Sequence, residues 1–360
     1  MSSSSSSSPP LGPLLRLTPL QPIDLPSHPD IKVPLSSSQT QPSLIPFLHT
    51  LLHEGLSFST TFNSPTIFHK HSTKSAPPSS TPVDVLIRSI PHSQISPISS
   101  TTSSSPDNST DQVTRHAPLD PAKHGEYWVA RRSYHADSST AGTASWSEFD
   151  FGIRQDHSKH EADFTLTLYD AHPILDWNSS IIHDPVPGFQ QITMSIHEMC
   201  HSLQFPLKPR CFPVLVITAI LSDEPNAFLV ITVPVDLSRQ PKSFYSSSRN
   251  ITEGDTKQKT QKPVLGVYSA VEIVRKIPTP PSATAAAAGG NPQQKQQLSN
   301  GPGKPGEIEW IMATASDAKG NVPLGIQKLG IPGVVVKDVG YFLKWIEQVR
   351  NRGDGIDGRK

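Results

Sequence analysis

Sharply patterned stretches alternate along the chain with stretches that have no hydrophobic period. From Leu44 to Leu56, "LIPFLHTLLHEGL" sets Leu44, Leu48, Leu51, Leu52 and Leu56 on one face of a helix. Its polar face lacks the basic residues that favour anionic lipid, so it reads as a helix packed on a core. "VDVLIRSI" (83–90) is a strand by alternation and β-branching. "EYWVARRSYH" (126–135) is a second strand. Its alternation separates Trp128, Ala130, Arg132 and Tyr134 from Tyr127, Val129, Arg131 and Ser133. Ser145 and Glu148 have capping-box spacing, which predicts a helical stretch to about residue 162. Strands are then expected near 164–170, 190–203, 211–221, 227–236, 264–276 and 307–316. The chain closes on an apolar-striped helix. Val335, Val339, Phe342, Leu343, Ile346 and Val349 share one side, and Lys337 and Lys344 project from the other. Pro332 suits the first turn of that helix or a kink in a longer one.

Helices at both ends and a run of strands between them indicate an α+β fold. An antiparallel meander this long must curl, and the last helix is expected to lie in the curl. Composition sets the limits of the domain. With 37 prolines and only 17% charged residues, the Ser/Pro/Thr tracts cannot bury enough apolar surface to offset ordering entropy. The expected organisation is a disordered N-terminus (1–40), one domain (41–350) with low-complexity inserts at 91–115, 240–262 and 276–306, and a disordered tail (351–360). Lys+Arg and Asp+Glu balance at 31 each, and no basic run appears, which argues against a nucleic-acid binder. No apolar run reaches the length of a membrane span. Nothing at the N-terminus resembles a secretory signal, and two cysteines make no disulfide framework. A reduced, cytoplasmic monomer is expected.

His197-Glu198-Met199-Cys200-His201 is a literal H-E-x-x-H. A zinc site would need a helix to bring both histidines to one face. The surrounding "QITMSIHEMCHSL" instead alternates as a strand, on which residues four apart lie roughly 13 Å from each other. No metal site is expected there, nor at "DHSKHE" (156–161), and no cofactor or nucleophile motif is present. The same alternation puts Glu198 with Ile192, Met194 and Ile196, read as the inner face. A buried carboxylate needs a partner. Arg132 is the natural candidate and Arg131 the alternative, as a structural pair or as a ligand head-group site.

The order of elements resembles the START, or helix-grip, fold of the Bet v 1-like superfamily. "PLKPRCFPVLV" (206–216) and "SDAKGNVPLGIQK" (316–328) resemble its Arg-aromatic strand entry and the element before its C-terminal helix. "YWVARRSYH", "GTASWSEFDFGIRQDHSKHE", "HEMCHSLQFPLKPRCFPVLVITA", "VLGVYSAVE", "EWIMATASDAKGNVP" and "KDVGYFLKWI" more closely resemble a fungal START-like family of unknown function, in order from 127 to 346. The resemblance implies a cavity between sheet and last helix that binds a lipid or sterol without catalysis, with transient membrane contact. Expected lining residues are Trp128, Arg132, Met194, Glu198, Phe212, Val214, Trp310, Val339, Phe342 and Ile346. The alternatives are an enzyme on the same scaffold, cyclase- or hydrolase-like, and a regulatory scaffold acting through its Ser/Thr/Pro inserts.

Overall fold

The computed structural model describes residues 11–33, 40–95, 125–181, 185–203, 207–241, 244–245, 254–257, 259–279, 303–319 and 324–353, with side chains of the last helix from 330 onward. The expected inserts and tail all fall partly outside the described residues, as do residues 1–10 of the expected disordered N-terminus.

Helix α1 (Leu44–Thr60) precedes strands β1 (His69–Lys74), β2 (Val83–Ile90) and β3 (Glu126–His135). Helix α2 (Trp146–Phe149) runs through one π-turn (Asp150–Arg154) toward α3 (His157–Phe164). Then come β4 (Leu168–Asp176), the short α4 (Asn178–Ile181), β5 (Phe189–His201), β6 (Arg210–Leu221), β7 (Ala227–Pro234), a two-residue β8 (Val264–Leu265), β9 (Val267–Lys276) and β10 (Ile308–Asp317). The last helix, α5 (Leu324–Arg352), carries Pro332 inside it. The strands form one ten-stranded sheet in the order β1-β2-β3-β10-β9-β7-β6-β5-β4, antiparallel along that path, with β8 pairing parallel to β6. This is the expected helix-grip arrangement: a curled antiparallel sheet with a long C-terminal helix.

Both faces of the sheet are covered, which is why β6 and β7 read as near-continuous apolar runs. On one face, α1 packs against β7 and β9, and Trp128, Met194, Ile196, Leu215, Ile231 and Ile273 are sealed beneath it. Residues 11–33, expected outside the domain, complete this cover. Leu15, Leu20 and Leu25 are fully buried. The segment has no helix or strand period because its amides are satisfied one at a time by distant groups. Glu54 accepts from Leu14 and Leu15 (3.0 and 2.8 Å), Glu126 accepts from Leu17 (2.7 Å), and Leu20 bonds with Pro234 and Asp236 of the sheet.

On the opposite face lie α2, α3 and α5. The predicted stripe Val335, Val339, Phe342, Leu343, Ile346 and Val349 is buried, each residue at most 4% exposed. Phe342 sits in an aromatic cluster, with ring centroids 5.1 Å from both Phe149 and Trp310. The π-turn approaches so closely that a Cβ on Gly152 would lie 2.7 Å from Phe342, so only glycine fits there. The capping box at Ser145 and Glu148 forms as predicted. Glu148 also takes Arg350 in a two-pronged contact (2.6 and 2.7 Å), and Arg350 donates to the carbonyls of Thr140 and Thr143. The C-terminal end of α5 is thereby fastened to the start of α2.

Candidate functional site

α5 rests on β2 and β3, α3 rests on β4, and the two helices pack on each other. They arch over the middle strands β10, β9, β7, β6 and β5. The burial pattern of those strands shows what lies under the arch. On β10, Ile311, Ala313 and Ala315 are sealed on the α1 side, while Met312, Thr314 and Ser316 on the α5 side keep accessible surface. On β9, Ser269 and Val271 are sealed and Tyr268 and Ala270 are not. On β5, Ile196 and Glu198 are sealed, whereas Ser195 and His197 remain partly accessible. Phe212 of β6 belongs to the same accessible set. Side chains in the middle of a sheet and beneath helices are accessible only if the cover stands off from them. These residues therefore line an interior space.

A polar cluster sits in that lining. Arg131, Met312 and Glu272 are cross-strand neighbours in one row of β3, β10 and β9. Arg131 reaches over to Glu272 (Nη2 to Oε1, 3.1 Å), and the Trp310 indole donates to the same oxygen at 2.6 Å. The guanidinium also stacks on Trp310, 3.8 Å from the ring centre. Its Nε and Nη1 are buried without a hydrogen-bond partner. Glu161 of α3 lies 3.7 Å from His157, one helical turn earlier. Asp338 of α5 completes the group. Glu161 and Asp338 are both half-buried and keep part of their surface accessible. Burial, opposed by Arg131 and reinforced by Glu161 and Glu272, pushes the Asp338 carboxyl up to about 7. Burial also raises Glu161, against the pull of His157, and raises the Tyr268 phenol.

The ten sequence-predicted lining residues divide between the two faces. Val214, Trp310, Val339, Phe342 and Ile346 lie on the α5 side and are fully buried against their neighbours. Phe212 lies there too and is the one of the ten whose side chain retains surface toward the interior. Trp128, Arg132, Met194 and Glu198 are on the α1 side and do not join them. Trp128 packs on Phe58 of α1 (4.7 Å). Arg132 donates to Phe62 and Asn63 just beyond α1 (2.9 and 2.8 Å) and lies 3.4 Å from Glu309. The expected pairing of Glu198 with Arg132 or Arg131 is replaced by other contacts, because four strands stand between β3 and β5. Glu198 instead accepts from the Cys211 thiol at 3.3 Å. His197 and His201 lie on a strand, as the alternation predicts, and burial depresses both to about 4. The residues missed by sequence reasoning are Tyr268, Met312, Glu272, Glu161 and Asp338. Parity with Trp310 would have found Met312, but nothing local marks Glu161 or Asp338.

An α+β chain with a curled sheet, a long C-terminal helix and a polar-lined space between them has the architecture of a helix-grip domain. The model of a family described as proteins of unknown function (DUF3074) matches residues 128–346, and the chain belongs to that family. No curated protein matches the chain. Among solved structures it is similar to the crystal structure of human STARD10, with 10% identity over 91% of this chain and 87% of that one and a TM-score of 0.44. It is also similar to human StAR-related lipid transfer protein 5, with 8% identity over 84% of this chain and 99% of that one and a TM-score of 0.43.

Proposed function

We propose that the protein binds a hydrophobic molecule, a lipid or sterol, in the space under α3 and α5, and that it does so as a carrier or sensor without chemical turnover. The observation that supports this reading is the one-sided accessibility of β5, β9 and β10 beneath their helical cover. Phe212, Tyr268, Ala270 and Met312 would take the apolar body, whose removal from water contributes about 25 cal/mol per Å². The Arg131–Glu272–Asp338–Glu161 group would fix the polar end, in keeping with small-molecule sites that combine an apolar wall with a few placed polar groups. Loading and release require the cover to move, and the first half of α5 is the element to do it. A monomer working in the cytoplasm fits this reading.

The test is mass spectrometry of lipids extracted from the natively purified protein, alongside an Ala270→Trp variant. Ala270 sits on the accessible face in the middle of β9, between Thr232 and Thr314. An indole there would occupy the space. The expected outcome is a lipid that copurifies with the wild type and is lost from a variant that still unfolds cooperatively. A wild type that carries no lipid and takes up none from mixed vesicles would sink the proposal.

A further inference from the structure

The chain has two cysteines, and the fold sets them opposite each other as free thiols. Cys200 is the last residue but one of β5, Cys211 is the second residue of β6, and the two are direct cross-strand partners. Backbone hydrogen bonds show which kind of partners they are. The Cys211 carbonyl accepts from Gly266 and the Pro213 carbonyl from Val235, both on the side of β6 away from β5. Along β5, Met194 accepts from Trp177 and Ser202 donates to Thr167, both on the β4 side. Backbone groups of alternate residues point the same way along a strand, so Cys200 turns toward β4 and Cys211 toward β8. The two cysteines therefore form a non-hydrogen-bonded pair, the kind in which Cα atoms approach to about 4.5 Å and side chains come closest. That separation lies within the span of about 4.4–6.8 Å that a disulfide bridges. Both side chains share the α1 face with Glu198, and the Cys211 thiol donates to the Glu198 carboxyl group at 3.3 Å. Small apolar residues would fill this site without placing a thiol beside a fully buried acid.

We propose that Cys200 and Cys211 form a reversible disulfide, reduced at rest and closed by a peroxide. In the first step one thiol is oxidised to the sulfenic acid as the O–O bond of hydrogen peroxide breaks, and one water leaves. In the second the other sulfur displaces the hydroxyl group, which leaves as a second water. Two S–H bonds are lost, one S–S bond forms, and the two electrons reduce the peroxide. The fold holds this chemistry in check. Cys200 and Cys211 are 1% and 0% exposed, and a hydrogen bond with Cys200, then burial and Glu198, push the Cys211 thiol well above its ordinary value. Such a thiol is a poor nucleophile while the strands are closed. Each cysteine lies one residue from the end of its strand, and strand ends open locally at low free energy. Fraying of this end of the hairpin admits an oxidant as small as hydrogen peroxide. Closing the link takes the Cys211 hydrogen away from Glu198, which opposes the link and keeps it reducible. The disulfide would form whether or not the interior space holds a ligand.

The experiment uses the full chain, in which any intramolecular disulfide must join these two residues. Folded protein is treated with hydrogen peroxide, quenched with catalase, unfolded in iodoacetamide and weighed intact. The same treatment in urea shows what the unfolded chain does. The expected product from folded protein is a monomer that takes up no alkyl groups. Dithiothreitol added to the folded, oxidised protein before alkylation should restore both. Two alkyl groups on the folded protein, at a peroxide level that links the chain in urea, overturn the proposal. So do thiols that gain oxygen without linking, and disulfide-bonded dimers in place of the linked monomer. A link that withstands dithiothreitol until the protein is unfolded overturns its reversibility.

Discussion

Replacing Asp338 by Asn should make the protein less sensitive to alkaline pH, and the size of the effect follows from the site. Asp338 is an acid whose folded-state pKa, about 7, lies above its ordinary value of 3.8. The folded state therefore holds a proton that the unfolded state releases between those values. Stability then falls as pH rises through this window, and the penalty is complete above pH 7. At 1.36 kcal/mol per pKa unit, the full penalty is about 4 kcal/mol, of which more than half develops between pH 5 and pH 8. The wild-type profile alone will not show it. His135, His197 and His201 are depressed to about 3, 4 and 4 by burial and add stability as pH rises toward 6.5, which is the opposite sign. The difference between variant and wild type removes that contribution. Asn keeps the shape and cannot ionise, so urea unfolding of both proteins at pH 5, 6, 7 and 8 should show the variant gaining on the wild type by about 2 to 3 kcal/mol across the range. A difference that stays constant within about 0.5 kcal/mol would mean that Asp338 faces bulk water, and the interior space as described would not exist.

Phe342→Ala removes a fully buried ring held among Phe149, Phe164 and Trp310, and should cost about 3–5 kcal/mol in denaturant unfolding, whereas a loss below about 1 kcal/mol would contradict the packing of α5. Arg350→Met leaves the buried Glu148 without its two-pronged partner and should cost about 3 kcal/mol, read as a lower urea midpoint at unchanged slope. Gly330→Ala/Gly333→Ala meets open space at both positions, so it should stiffen the first half of α5 without a clash. Stability should rise by about 1 kcal/mol and release of bound Nile red should slow in stopped flow. Unchanged release would show that this half of the helix is not the moving cover.

The fold was largely legible because its strands and last helix carry strong periods. β2 and β3 match their predicted bounds, and the α5 stripe is the buried one. Residues 11–33 were not legible, because satisfying an amide with Glu54 or Glu126 leaves no local pattern. β1, "HKHSTK", is an exposed edge strand without an apolar face. The site was half legible for a more instructive reason. Alternation puts Ile192, Met194 and Ile196, the apolar set of β5, on the expected inner face. In a sheet covered on both sides, the apolar set marks the tightly packed face. The more accessible face tolerates Ser195 and His197, Thr314 and Ser316, because it does not have to exclude water at every position. Here the more polar parity is the one that keeps accessible surface.

An asymmetry along α5 bears on the proposed function. The second half of α5 is immobilised by the aromatic cluster around Phe342 and by Arg350. Gly340 fits so closely under the carbonyl of Pro77 that a Cβ would lie 2.4 Å from it. In the first half, Pro332, Val335 and Val336 are buried, but the stretch around Gly330, Gly333 and Val334 is loosely packed. Ile331 is half-buried, Val334 is 56% exposed, and Gly330 and Gly333 touch nothing a side chain would meet. Local opening free energy follows the density of such contacts. On the proposed function, the stretch around Gly330, Gly333 and Val334 would yield before the stretch around Phe342. Asp338 lies just before the fastened half, so the polar end of a ligand would be held where the helix is firm, and the apolar body would lie under the part that lifts.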